Sequence, residues 1–380
     1  MAMEFLESQG AMYPDLAEQY NELSHFFQKK LWHELSVAVD SFVSSRKNIR
    51  NNNYFLLYNE FICKFESRIS QVKLAIIVSN ISYSLNSPDA ALEFLSKILN
   101  ARERLGPEAS LVLDMETSLV KLKLGAVEDA KNMLDLAKEK LSTINSSETI
   151  VFSKFYKALL EYRKIVGPAH EFYKAALMFL AYTPVDDLSG DEKVILATDI
   201  ALASITGDNI YNFGEVLATP ILSALKGTTN EWLNDLVVVL NKGDVDAYNL
   251  IVDNYRQQYY SQTALANRHD EVKQKVALLS LVNIAFERPS HDRNISFLDI
   301  STRTRLPLNQ VEWLLMRAMS VGLIKGVIDQ VDQMVSISWI VPRVLDKEQL
   351  QTIVTQLDEW KTRVVEATKT VEDQTLELFA

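Results

Sequence analysis

The chain has 380 residues, enough for two domains or for one helical array with a cap. Eleven glycines and nine prolines are too few for a loop-rich fold, so long helices are the default. A net charge of −11 repels phosphate backbones, and a single cysteine excludes an internal disulfide and a four-cysteine zinc site.

Residues 1–20 carry little pattern and are expected to be mobile. The first ten hold Glu4 and Glu7 and no basic residue, so no signal peptide is expected. No stretch approaches about 18 uncharged apolar residues, so no membrane span is expected. Leu31, Leu35 and Val39 then fall at four-residue steps, which predicts one helix from Leu23 to Val43. A polar stretch ending in Asn51-Asn52-Asn53 reads as a loop. Tyr54–Glu66 and Val72–Leu85 read as the next helices. Cys63 lies among Phe61, Ile62 and Phe65, which predicts a buried core thiol.

Ser87-Pro88 has the order of an N-cap and a first helical residue, with Leu92, Leu95 and Leu99 following on one face. After Gly106-Pro107 comes a stripe of Leu111, Met115, Leu119 and Leu122, with Gly125 where a C-terminal cap belongs. Val127, Ala130, Leu134, Ala137 and Leu141 continue the pattern. Two more helices are predicted at Ile150–Ile165 and Pro168–Tyr182. Helices of this length in consecutive pairs joined by short turns mark a helical-repeat solenoid. An irregular helical domain is the alternative, because no strict repeat consensus is visible.

A polar break, Thr183–Asp191, separates this region from helices at Glu192–Thr206, Phe213–Leu225, Glu231–Asn241, Val245–Tyr255 and Ala264–Ala285. After Arg288-Pro289 the period changes. Ile295–Phe297 reads as a strand and Leu298–Thr304 as a helix. Val311–Ser320 reads as a second helix, with Asn309 as its candidate N-cap. Leu323–Ile328 and the alternating Val335, Ile337 and Trp339 read as two strands. Strand, helix, helix, strand, strand is a winged helix. A last helix follows Pro342, with Asp346 as candidate cap. Leu350, Ile353, Leu357, Trp360, Val364, Ala367 and Val371 alternate three- and four-residue steps, a heptad seam over about three heptads.

Helical repeats, a winged helix and a lone terminal helix form the layout of PCI-family proteins, and four segments carry the resemblance. They are Lys29–His33 (KKLWH), Tyr211–Glu215 (YNFGE), Phe286–Pro289 (FERP) and Val311–Asp346, which runs from VEWLLMRAMS to IVPRVLD. Within the family the chain is most similar to subunits of the proteasome lid. The resemblance implies a mainly α fold. Its parts would be a right-handed, TPR-like helical-repeat solenoid over 21–182 and a PCI module over 192–345, followed by a terminal bundle helix over 346–375. The PCI module would divide into helices over 192–288 and a winged helix over 289–342. The resemblance further implies a non-catalytic scaffold role with other PCI and MPN lid subunits as partners, a hetero-oligomer, and residence in cytoplasm and nucleus. A PCI subunit of the COP9 signalosome or of a translation initiation factor is the alternative.

Catalytic patterns are missing from the sequence. His25, His33, His170, His269 and His291 show no HxxxH or HxH spacing, and there is no Walker-type phosphate loop and no G-x-S-x-G elbow. Asp186-Asp187 reads as a solvated acidic pair. No cofactor or metal site is expected. Winged helices often read DNA, but residues 291–320 carry a net charge of only +1, by four arginines against three acids. The candidate recognition helix offers Val311, Trp313, Leu314 and Leu315, which suit protein packing better than phosphate contact. Partner contacts are therefore expected at two places. One is the terminal seam (Leu350, Ile353, Leu357, Trp360, Val364, Val371). The other is the winged-helix strands (Leu323, Lys325, Val327, Val335, Ile337, Trp339), through an open sheet edge. The alternative for the seam is that the last helix folds back on its own domain.

Overall fold

The computed structural model describes residues 2–44, 54–85, 87–100, 105–143, 148–288, 293–344 and 347–374. The chain divides into two compact units, Met1–Pro184 and Val185–Ala380.

The first unit contains α1 (Ala2–Met12), α2 (Ala17–Gln28), α3 (Trp32–Ser44), α4 (Tyr54–Glu60), α5 (Gln71–Ser84), α6 (Pro88–Leu99), α7 (Pro107–Lys123), α8 (Val127–Thr143), α9 (Thr149–Val166) and α10 (Ala169–Tyr182). Alternate helices α3, α5, α7 and α9 stack in series, while α6, α8 and α10 cover them as a second layer. This stacking buries α7 on nearly all sides, so that its polar Asp114, Glu116, Thr117 and Ser118 are buried along with its leucines. One continuous core runs from Leu6 to Tyr162.

The expected punctuation explains the element ends. The Ser87 hydroxyl accepts the Ala90 N–H at 3.2 Å, with Pro88 opening α6. Gly125 adopts φ +84°, and the Gly125 and Ala126 N–H groups donate back to Leu122 O and Lys121 O at 3.0 Å each. That pair of bonds is a Schellman closure of α7.

Four expectations in this unit are corrected. Residues 2–12 form a helix with Leu6 buried, where a mobile segment was expected; the apolar residues of α1 meet α2. The single helix over Leu23–Val43 is two helices, broken where Lys30 takes φ +57°, and this turn leaves Leu31 exposed. The helix from Tyr54 ends at Glu60 and gives way to 3-10 turns at Ile62–Lys64 and Glu66–Arg68. In the first of these, Phe61, Ile62 and Phe65 point inward and Cys63 is left exposed. The loop expected at Asn51–Asn53 lies outside the described residues.

The second unit contains α11 (Gly190–Thr206), α12 (Phe213–Ala218), α13 (Glu231–Lys242), α14 (Val245–Asn254), α15 (Arg256–Ser261), α16 (Thr263–Asn267), α17 (His269–Glu287), β1 (Asn294–Ser296), α18 (Phe297–Thr304), α19 (Leu308–Ser320), β2 (Ile324–Asp329), β3 (Met334–Ile340) and α20 (Lys347–Gln374). A capping box explains the start of α11: Ser189 accepts the Glu192 N–H, and the Glu192 carboxylate accepts the Ser189 N–H. Asn309 is not a cap. Pro307 holds the extended conformation before α19, and Asn309 lies inside the helix. Asp346 lies outside the described residues.

The sheet has the order β1-β3-β2, with both pairings antiparallel. Its inner face packs Ile295, Val335 and Ile337 onto Ile300, Leu314, Leu315 and the α17 residues Leu281 and Ala285. The long helix α17 is thus one wall of the winged helix and not a separate layer.

Candidate partner-binding surfaces

The terminal helix α20 spans 28 residues, roughly 40 Å at 1.5 Å per residue. Every side chain from Leu357 to Asp373 is exposed. Leu357 is 58% and Trp360 64% accessible; Leu350, Val364 and Val371 are exposed too, and Ile353 is partly covered. Fully burying a large apolar side chain yields about 1.5–3 kcal/mol. Among the described residues nothing covers this seam beyond its first turns. The reading in which α20 folds back on its own domain is therefore not the arrangement observed.

The root of α20 is fixed. The Val344 N–H donates to Asn212 Oδ1 at 3.1 Å, and Asn212 Nδ2 donates to Glu215 Oε1 at 2.7 Å. A Cβ on Gly214 would come within 2.5 Å of Val344 O and 2.9 Å of Val344 Cβ, so only glycine lets the two backbones approach. The Arg343 guanidinium lies 5.1 Å from the Phe286 ring. Phe213 is fully buried. The YNFGE segment and the first residue of FERP thus converge on the extended segment that leaves the winged helix after β3. In the rest of that motif, Arg288 donates to Asn294 O at 2.7 Å and Asp299 Oδ2 at 2.8 Å, and Glu287 pairs with Arg303. Pro289 lies outside the described residues. The KKLWH segment is also a joint: Trp32 stacks on Phe65 at 6.2 Å, under the Arg68 guanidinium at 4.9 Å.

The winged-helix residues divide into two groups. Leu323, Val335 and Ile337 are buried in the core of their own domain, which corrects their expected place at a partner interface. Val335 and Ile337 alternate inward on β3, the central strand, which β1 and β2 flank over Met334–Ser336, and Leu323, just ahead of β2, packs into the same core. Lys325, Val327 and Trp339 face outward, with Val327 72% accessible. A register shift at Lys325/Gly326 sets Lys325 opposite Trp339, and the ammonium lies 4.9 Å from the indole. Among the described residues, β2 is an edge strand with one side unpaired. On α19, Val311, Leu314 and Leu315 are buried, while Trp313 is 47% accessible under the Arg317 guanidinium at 5.6 Å.

Sequence reasoning missed Lys275. This residue of α17 is buried, and its ammonium donates to Ser204 O, Ile205 O and Gly207 O at 2.8, 3.1 and 3.0 Å. These are carbonyls at and just beyond the end of α11, orphaned by the helix terminus. Burial pushes the Lys275 ammonium down to about 7; Asp208 opposes this and Arg268 adds to it. The apolar run of α17 hides this lysine, since only the approach of α11 makes it a cap.

Among the described residues no group of three or more histidine, cysteine, aspartate or glutamate side chains could hold a metal ion, and no helix is long and apolar enough to cross a membrane. A helical-repeat unit, a winged helix sharing its core with a long helix, and a fixed-root terminal helix with a bare heptad seam define a PCI-type protein.

The comparisons agree with that class. The family profile described as PSD13 N-terminal repeats matches residues 19–237, and the PCI domain profile matches residues 252–339. The chain is 37% identical over 383 residues to 26S proteasome non-ATPase regulatory subunit 13 homolog B of Arabidopsis thaliana, covering 100% of this chain and 99% of the relative. It is 33% identical over 381 residues to 26S proteasome non-ATPase regulatory subunit 13 of Dictyostelium discoideum, covering 100% and 98%. It is 29% identical over 376 residues to 26S proteasome regulatory subunit RPN9 of Saccharomyces cerevisiae, covering 94% and 93%. The chain belongs to the 26S proteasome non-ATPase regulatory subunit 13 family.

Proposed function

We propose that the chain is a structural, non-catalytic subunit of the lid of the 26S proteasome regulatory particle, serving ubiquitin-dependent protein degradation. The carrying observation is the bare seam of α20, held at its root by the Asn212–Val344 bond. An uncovered row of leucine, tryptophan and valine is an aggregation liability in an isolated chain. It becomes favourable when the helix enters a bundle with helices of neighbouring subunits, because heptad spacing aligns its knobs with their holes.

The β2 edge supplies a second contact. Its unpaired main-chain groups can receive a strand from a neighbour, with Lys325, Val327 and Trp339 setting the register. In this reading the partners are other PCI and MPN subunits of the lid, the assembly is a hetero-oligomer, and the protein resides in cytoplasm and nucleus. No nucleic acid is involved: the exposed face of α19 carries Leu308, Trp313 and Met316 with Arg317 as its one cation, which suits apolar contact better than a clamp on phosphates.

Affinity purification of the tagged full chain from cells, with mass-spectrometric identification of its partners, tests the reading. Stoichiometric recovery of proteasome regulatory-particle subunits is expected. Recovery of a different assembly, or of the chain alone, would overturn it. Fluorescence imaging of the tagged chain tests the location: signal in both cytoplasm and nucleus is expected, and confinement to any other compartment contradicts it.

A further inference from the structure

The first unit of this acidic chain carries a cluster of positive charge on the stack of α5, α7 and α9. Tyr83, at the end of α5, is 42% accessible. Three ammonium groups gather around its ring: Lys123 of α7 at 4.8 Å, Lys157 of α9 at 5.5 Å and Lys154 of α9 at 5.9 Å from the centroid. Lys154 is committed inward. It donates to Ser79 Oγ at 2.7 Å and pairs with the buried Glu116 at 3.7 Å, while Ser79 Oγ donates to Glu116 at 2.7 Å. Neither Lys123 nor Lys157 has a carboxylate partner among the described residues. The ring's negative face tempers the repulsion between them without neutralising either charge.

We propose that Tyr83, Lys123 and Lys157 form a docking point for an acidic polypeptide segment of a partner protein. Charge complementarity selects the occupant. Both ammoniums lie within 5.5 Å of one ring, on side chains supplied by successive helices of the stack, and the carboxylate of the cluster, Glu116, is buried and held by Lys154 and Ser79. Alternate side chains of an extended segment lie about 6.6 Å apart, the same scale as the separation of two ammoniums that each lie within 5.5 Å of one ring centroid. A nucleic acid is disfavoured, because phosphate-backbone binding draws on several contacts and the chain as a whole carries −11.

The test is fluorescence anisotropy of the full chain with a labelled eight-residue glutamate-rich peptide and its glutamine counterpart. The glutamate peptide should bind at least tenfold more tightly, and its affinity should fall with added salt. Lys123→Gln/Lys157→Gln should weaken it at least tenfold. The control pair Lys131→Gln/Lys138→Gln, with the same charge change on exposed positions of α8, should leave it unchanged. Tyr83→Leu keeps both charges but removes the ring they share, and should weaken binding at least threefold. Equal binding of the two peptides, equal loss in the two lysine double variants, or tighter binding of a DNA duplex of matched charge would overturn the proposal.

Discussion

The backbone N–H of Val344 donates to the side-chain oxygen of Asn212 at 3.1 Å, joining residues 132 positions apart. This bond fixes where the chain leaves the winged helix, three residues before α20 begins at Lys347. Gly214 makes the approach possible, since any side chain there meets the Val344 backbone. Gly214→Val is therefore expected to destabilise the second unit by about 1–3 kcal/mol through overpacking. It should also raise the rate of proteolytic cleavage near residues 342–346. Urea unfolding and limited trypsin digestion check the two effects, and unchanged cleavage would show that the joint does not hold the helix root.

The seam of α20 should be silent in the isolated protein. Trp360→Asp changes an exposed side chain, so the isolated chain should unfold within about 0.5 kcal/mol of wild type. The same substitution should sharply reduce incorporation into the particle, because it sets a charge in the centre of the heptad seam. Chemical denaturation measures the first effect and pull-down from cells the second.

Lys275 links stability to pH. Its ordinary value lies near 10.4 and its folded value near 7, so between those limits the unfolded chain binds more protons than the folded one. The Lys275 contribution to stability accordingly grows as pH rises through this window, and below about pH 7 it stays at its minimum. Lys275→Met removes this dependence. Urea titrations should show the wild-type-minus-variant difference rising by about 2 kcal/mol in favour of wild type from pH 7 to pH 9. A difference independent of pH would contradict the assignment.

Glu116 and Lys154 form a buried pair in the first unit, bridged by Ser79. Removing one partner strands the other charge. Glu116→Ala is expected to cost about 3–5 kcal/mol, whereas Glu116→Gln, which keeps an acceptor for Ser79, should cost less. Thermal unfolding of both variants ranks the effects.

Much of this architecture is written locally. Ser87-Pro88, Gly125 and the Val335/Ile337 alternation each act through their own backbone neighbours, so helix starts, stops and strands are readable from them. The four segments that carry the family resemblance were visible as strings, but not as joints. That Asn212 binds Val344, or that Phe286 lies under Arg343, depends on approaches between residues far apart in sequence. Cys63 and Leu31 misled for a related reason. Their apolar surroundings were real, but a 3-10 turn and a left-handed Lys30 rotate those side chains outward. On the sheet the alternating pattern located the strands, yet it did not reveal that β3 is central or that its inner face, with Leu323 just ahead of β2, closes on α17 and α19, so Leu323, Val335 and Ile337 read as partner contacts and are core.

The most direct test removes the terminal helix. A chain ending at Asp346, expressed in cells with an affinity tag and followed through a sucrose gradient, should fold, sediment as a free subunit and leave the proteasome fractions. If it still co-sediments with the full particle at wild-type level, α20 is not what recruits this subunit.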